Sequence, residues 1–274
     1  MLYLMYVKYG PLFHIWNIGG DNILQDTNAF SSLKPLLVLE VLAKKNDWIG
    51  VSEICSTTNL SKSTVHRLLA ELVACNYVQK NDSIKKYKLG LKLLCLAGNA
   101  TQSPLVLASK EEMKQLNNKF KETLHLVMED HFEGVYIQKI DTSYSLGLMS
   151  YIGKKVPLYC SGAGKCILAF SEPQYFETYI QNVSLEKFTP NTICTRKGLE
   201  EELVKIRSCG YALDANEHKL DISCVAGPVF DNNGRIVAGL SIAGPSYRMK
   251  EYDSVSMGEA IKQACSRITQ KLSY

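Results

Sequence analysis

The segment SKSTVHRLLAELVA, residues 61–74, constrains this chain most. Val65, Leu68, Leu69 and Leu72 recur at the spacing of one helical face, whereas Ser63, His66, Arg67 and Ala70 fall on the opposite face. Ser61 is placed to cap the helix through its hydroxyl, and Leu60 to staple back onto the second turn. The first turn, Lys62, Ser63 and Thr64, contains no core residue. It offers small hydroxyls and a cation at the positive end of a helix dipole, an arrangement suited to phosphates.

The flanking sequence gives this helix a setting. Leu33, Leu36, Leu37 and Val41 predict a helix over 33–43, closed by Lys44 to Asp47. VSEICSTT predicts a second short helix, and Thr57 to Leu60 a turn. Residues 77–80 and 85–89 predict two short strands around the polar turn Asn81-Asp82-Ser83. Three helices, a short connection before the third and a basic hairpin predict a winged helix-turn-helix over residues 29–90. In that motif the N-terminal residues of the third helix enter the major groove of double-stranded DNA. The candidate DNA contacts are Ser61, Lys62, Ser63, Thr64, His66 and Arg67, with Arg67 reading a guanine edge or holding a phosphate. Lys85, Lys86 and Lys88 would grip flanking backbone from the wing. Charge placement agrees: residues 29–100 carry ten Lys and Arg against five Asp and Glu, whereas residues 101–274 carry twenty of each. A solvated helix face and edge-protecting lysines would explain any one of these features alone, but not the combination.

After Gly90 a linker helix is expected over 91–103, with Pro104 near a domain boundary. From 104 to 274 strands alternate with helices. ETLHLVMED and VYIQKID predict a strand pair around His131 to Gly134, and LYCSGAGKCILAF a turn feeding a helix. A charged helix over 199–209 ends at Gly210. Strands follow at 211–214, 222–230 and 235–242, the last two joined by the hairpin turn Asp231 to Gly234, and a helix over 250–272 closes the chain. The whole reads as α+β.

Nine cysteines without a C-x-x-C pair fit a reducing cytoplasm, and no cofactor is expected. The first 28 residues, aromatic-rich and broken by Lys8, Pro11 and His14, have neither a signal-peptide pattern nor a membrane span. They are expected to be an unstructured tail or a start placed too early.

LKPLLVLEVLA, VSEICSTTNLSKSTVHRLLAELVACNYVQ and KYKLGLKLLCLA resemble the N-terminal half of IclR-family transcription regulators. VPLYCSGAGKCILAF, GYALDANEH and CVAGPVFDNNGRIVAGLSIAGPSYR resemble the family's effector-binding domain. The resemblance spans about residues 30–272. It implies a winged helix-turn-helix, a linker helix and a GAF-like effector domain with an antiparallel sheet. It further implies homodimers or tetramers on palindromic operators and a small organic acid that modulates DNA binding, with repression the expected sense.

The resemblance also places an effector pocket at the amides of Gly162 and Ala163, at Asp214 and Cys224, and at Ser241. A helix start with free amides suits a carboxylate. This chain has Ala243 where the family pattern has a second serine, and Asp221 where many members have glycine. Asp221 is expected to add charge that favours a hydroxyl-rich ligand. Leu146, Leu148, Met149 and Leu158 are candidates for an apolar wall. The stretch from His125 to Tyr159 is similar to members that regulate sugar-acid catabolism, 2-keto-3-deoxygluconate included, so a sugar acid or 2-keto acid is expected.

Rival readings are weaker. SGAGKC lacks the spacing of a phosphate-binding P-loop. A hydrolase would use Ser161, Cys160 or Cys224 with His125, His131 or His218, but nothing in the sequence joins base to nucleophile. Asp214, His218 and Cys224 have irregular spacing for a metal site. A constitutive DNA-binding protein whose second domain only oligomerises would need no pocket.

Overall fold

The structure, a computed structural model, describes residues 31–45, 47–100 and 102–272; the expected N-terminal tail over 1–28 lies outside them. The chain divides into two compact units after Ala100.

The first unit holds helices α1 (Lys34–Lys44), α2 (Val51–Thr58), α3 (Lys62–Ala74) and α4 (Lys92–Ala100). Strands β1 (Ile49–Gly50), β2 (Val78–Asn81) and β3 (Lys86–Leu89) form an antiparallel sheet in the order β1-β3-β2. Asn59, at φ 55°, ends α2 in the left-handed conformation that asparagine tolerates. Ser61 then starts α3 in extended backbone. Val38, Leu42, Ile54, Val65, Leu68, Leu69, Val78 and Tyr87 make one core, so the wing is pinned to the helices through Tyr87. The helix expected over 91–103 spans only Lys92–Ala100 and groups with the first unit.

The second unit is built on a curled six-stranded antiparallel sheet in the order β6-β5-β4-β9-β8-β7. Its strands are β4 (Thr123–Asp130), β5 (Glu133–Ile140), β6 (Lys155–Pro157), β7 (Ala212–Ala215), β8 (Ile222–Phe230) and β9 (Ile236–Pro245). The helices are α5 (Pro104–Phe120), α6 (Gly162–Phe170), α7 (Pro173–Asn182), α8 (Arg196–Cys209), α9 (Ser246–Met249) and α10 (Ser254–Lys271). Strand alternation sorts the side chains to two faces. Leu124, Leu126, Val225, Leu240 and Ile242 pack with Met113, Leu116 and Phe120 of α5 and Ile261, Ala264 and Ile268 of α10. On the other face Val127 and Ala226 pack with Ala163 and Ile167 of α6 and Leu199 and Leu203 of α8.

Two glycines seat α6 on the sheet. A Cβ at Gly239 would lie 2.6 Å from the Ala163 carbonyl oxygen, and one at Gly162 would lie 2.5 Å from the Cys224 sulfur. The start of α6 therefore rests directly over β8 and β9. Arg248 of α9 grips Glu122, just before β4, through two parallel bonds of 2.5 and 2.9 Å, and so ties the chain's late turn to the sheet's centre.

Candidate functional site

In the first unit, the Ser61 hydroxyl accepts from the Thr64 amide at 3.3 Å and meets the Ser63 and Thr64 hydroxyls at 3.1 and 2.9 Å. Val65, Leu68, Leu69 and Leu72 are buried, whereas Lys62, Ser63, His66 and Arg67 are exposed. The Arg67 guanidinium donates to Glu71 one turn on, at 2.7 Å. Such an exposed i,i+4 pair contributes only about 0.3–0.5 kcal/mol and is released readily. On the wing, Lys85 holds a left-handed turn position at φ 52°, and Lys86 and Lys88 point outward from β3. The Lys88 ammonium lies 4.7 Å from the Trp48 ring centroid. Trp48 is not among the sequence-predicted contacts; its aromatic ring near basic segments is the signal that points to it.

In the second unit a pocket of about 680 Å³, including its open mouth, lies on the α6 side of the sheet. Gly162, Ala163, Asp214, Cys224, Ser241 and Met149 all line it, together with His125, Tyr136, Leu148, Lys154, His218 and Lys219. Ser161, the residue before α6, makes no side-chain cap; its hydroxyl instead donates to the Pro157 carbonyl at 2.6 Å. The positive end of α6 therefore opens on the pocket without a side chain of its own to satisfy it. Ser241 is 4% exposed, and its hydroxyl has no hydrogen-bond partner among the described residues.

Burial raises the Asp214 carboxyl to about 7, although the Glu217 amide donates to it at 2.8 Å. Burial likewise pushes the Cys224 thiol well up, with Asp214 adding to the effect. His125 is pushed down to about 3 by burial and then by Lys139; it stacks on Tyr136 at 4.3 Å and meets the Ser150 hydroxyl at 2.7 Å. Beneath the pocket floor Lys165 is fully buried, 2.5 Å from Glu217 and 2.9 Å from Glu202. Burial alone would lower its pKa, but the two carboxylates hold it above the ordinary value.

Three expectations need correction. Leu158 does not line the pocket; it is fully buried in the core beneath α6, where the Gly164 backbone crosses it. Leu146 is 61% exposed and outside the wall, its carbonyl accepting from Arg248 at 3.1 Å. Asp221 contributes no pocket surface either. It sits at φ 64°, a left-handed position that explains why glycine suits it, and its carbonyl accepts from the Ser246 amide. His125, Ser161, His218 and Cys224 line one pocket, but His125 meets Ser150, the Ser161 hydroxyl donates to the Pro157 carbonyl, His218 packs edge-on against Phe188, His131 is an exposed turn residue, and burial raises the Cys160 and Cys224 thiols. Among the described residues no group of three His, Cys, Asp or Glu side chains could hold a metal ion, and no helix is long and apolar enough to cross a membrane.

A winged helix-turn-helix unit followed by a pocketed α+β unit is the plan of a one-chain DNA-binding transcription regulator. Residues 34–82 match the model of the IclR helix-turn-helix domain, and residues 98–270 match that of the bacterial transcriptional regulator IclR C-terminal domain. The chain belongs to the IclR family, and it is a regulator of transcription rather than an enzyme. It is 33% identical over 251 residues to the HTH-type transcriptional regulator KdgR of Escherichia coli (strain K12), covering 91% of this chain and 95% of that one. It is 29% identical over 248 residues to the DNA-binding transcriptional repressor YiaJ of the same organism, covering 89% and 88%. The crystal structure of the Thermotoga maritima IclR is similar at a TM-score of 0.75 and 33% identity, over 89% of this chain and 99% of that one.

Proposed function

We propose that the chain is a cytoplasmic repressor that binds a palindromic operator as a homodimer or tetramer and that a small organic acid, a sugar acid or 2-keto acid, modulates this binding. The observation that carries the ligand reading is the uncapped start of α6, opening on the pocket beside the unpartnered Ser241 hydroxyl. Gly162 and Ala163 would offer amides, Ser241 a donor, and Asp214 and Cys224 the remaining polar wall, with Met149 at the mouth. Repression is supported by relatives named as repressors, YiaJ and AllR.

The test is calorimetric titration of the full chain with sugar acids, 2-keto acids and aromatic acids, with operator DNA binding measured beside it. An acid at about 100 times its Kd adds about 2.7 kcal/mol to the state it binds. Selective binding that changes operator affinity supports the reading. Silence across the panel favours a second domain that only oligomerises.

On the DNA side, Ser61, Lys62, Ser63, Thr64 and His66 would seat the start of α3, with Arg67 leaving Glu71 to reach a base edge. Lys85, Lys86 and Lys88 would hold phosphates. Arg67→Ala is expected to cost about 1–3 kcal/mol at the palindromic site. Lys88→Ala is expected to weaken binding on all sequences and flatten the salt dependence. A sequence-selective loss from Lys88→Ala, or none from Arg67→Ala, would remove these roles.

A further inference from the structure

We infer that the pocket's ligand carries two acidic groups, one received at the start of α6 and the second between Lys154 and Lys219. This rests on the reading of the pocket as an organic-acid site, and it narrows the acid to a dianion.

The two lysines come from opposite margins of the sheet. Lys154 immediately precedes β6, one edge strand, and Lys219 follows β7, the other. The sheet curls, and both side chains line the same pocket. Among the described residues neither makes an ion pair. The other lysines of this region do: Lys139 with Asp141, Lys155 with Glu133, and Lys165 with Glu202 and Glu217. Lys154 is half-buried, and the Met149 carbonyl accepts from its ammonium at 2.9 Å, which fixes its position.

The Lys154 pKa is lowered by burial first and by the Lys219 charge next. His218, pushed down to about 4 by burial and then by the same two lysines, is neutral near pH 7 and adds no third charge. Asp214 is the one carboxylate on the described wall, and burial opposes its ionisation.

Two like charges without a counter-charge, Lys154 half-buried and Lys219 exposed, repel each other, and an anion that bridges them turns that repulsion into attraction. The α6 start supplies a separate anion-binding feature over the middle of the sheet, where Gly162 meets Cys224 of β8 and Ala163 meets Gly239 of β9. One carboxylate satisfies one of these features; two acidic groups on a short carbon frame satisfy both.

The test is isothermal calorimetry on the full chain with matched acids that differ only in the second carboxyl. Suitable pairs are galactarate and galactonate, adipate and hexanoate, and 2-oxoglutarate and 2-oxopentanoate. Charge-assisted contacts to the second carboxylate are expected to make at least one diacid bind about 10- to 100-fold more tightly than its monoacid. Lys154→Met and Lys219→Met should each shrink that preference, and the double variant should bind diacid no more tightly than monoacid. Lys154→Gln, checked by circular dichroism, replaces the methionine variant if that fails to fold. Equal affinity within every pair that binds, or a diacid preference surviving in the double variant, overturns the inference and leaves the acid-responsive reading standing. Silence from all six acids, alongside silence from the wider panel above, overturns both.

Discussion

Lys165→Met is expected to destabilise the second unit by about 3–5 kcal/mol, the usual result of leaving a buried charge without its partner. Lys165 is fully buried, and Glu217 is nearly so. Glu217 already has one buried oxygen, Oε2, without a partner, so loss of the ammonium strands the whole carboxylate. Lys165→Met combined with Glu217→Gln removes the charge as well as its partner and should recover part of the loss. Urea unfolding of the full chain, followed by circular dichroism, measures both. Trp16 and Trp48 lie in the first 100 residues, so tryptophan fluorescence would miss the change. A cost below about 1 kcal/mol for Lys165→Met would mean that water replaces the ammonium. The consequence reaches the pocket because the Glu217 amide donates to Asp214, so a displaced Glu217 turn also disturbs the pocket wall.

The second large effect is a change in pH dependence. Asp214 is raised to about 7 in the folded chain from an ordinary value of 3.8, chiefly by burial. Between those values the folded state holds a proton that the unfolded state has lost. Its contribution is therefore complete below about pH 4 and is lost as pH rises through about 7, by up to about 4 kcal/mol. The histidines act in the opposite sense. His125 and His218, lowered to about 3 and about 4, contribute stability present above pH 6.5 and lost as pH falls through those values. The opposed terms flatten the native profile. Asp214→Asn keeps an acceptor for the Glu217 amide and deletes one term, so stability should climb more steeply from pH 5 to 7 than in the native chain. Parallel profiles for the two proteins would show that Asp214 ionises in the ordinary carboxylate range.

Elements with a local signal were legible in the sequence. The α3 face follows from Val65, Leu68, Leu69 and Leu72, and the β8–β9 turn from Asp231 to Gly234, where Asp231 accepts from the Asn233 and Arg235 amides. Helix α5 carries a weaker signal: Ser103 caps it and Pro104 opens it, but polar residues interrupt its buried face. Helix α7 and the short strands β1 and β6 were missed; strands of two or three residues carry too little periodicity to read. The β4–β5 turn is expected over His131 to Gly134, and its two turn residues are the first two of these, His131 and Phe132, both at positive φ. That costly conformation is held by Phe132 packing on Tyr175 and Tyr179, contacts more than forty positions away in the sequence. At the pocket, Leu158 and Leu146 were misplaced because hydrophobicity does not tell core from wall. The roles of Lys154 and Lys219 depend on the curl of the sheet, which no local pattern encodes.

The separation of faces on α3 has a consequence for how such a protein changes over generations. Val65, Leu68, Leu69 and Leu72 hold the helix in a core confined to the first unit, whereas Ser63, His66, Arg67 and Ala70 are exposed and contribute little to that core. Substitutions along the exposed row are close to neutral for folding. A duplicated copy can therefore drift toward a new target sequence one residue at a time, each intermediate still folding and the pocket of the second unit untouched.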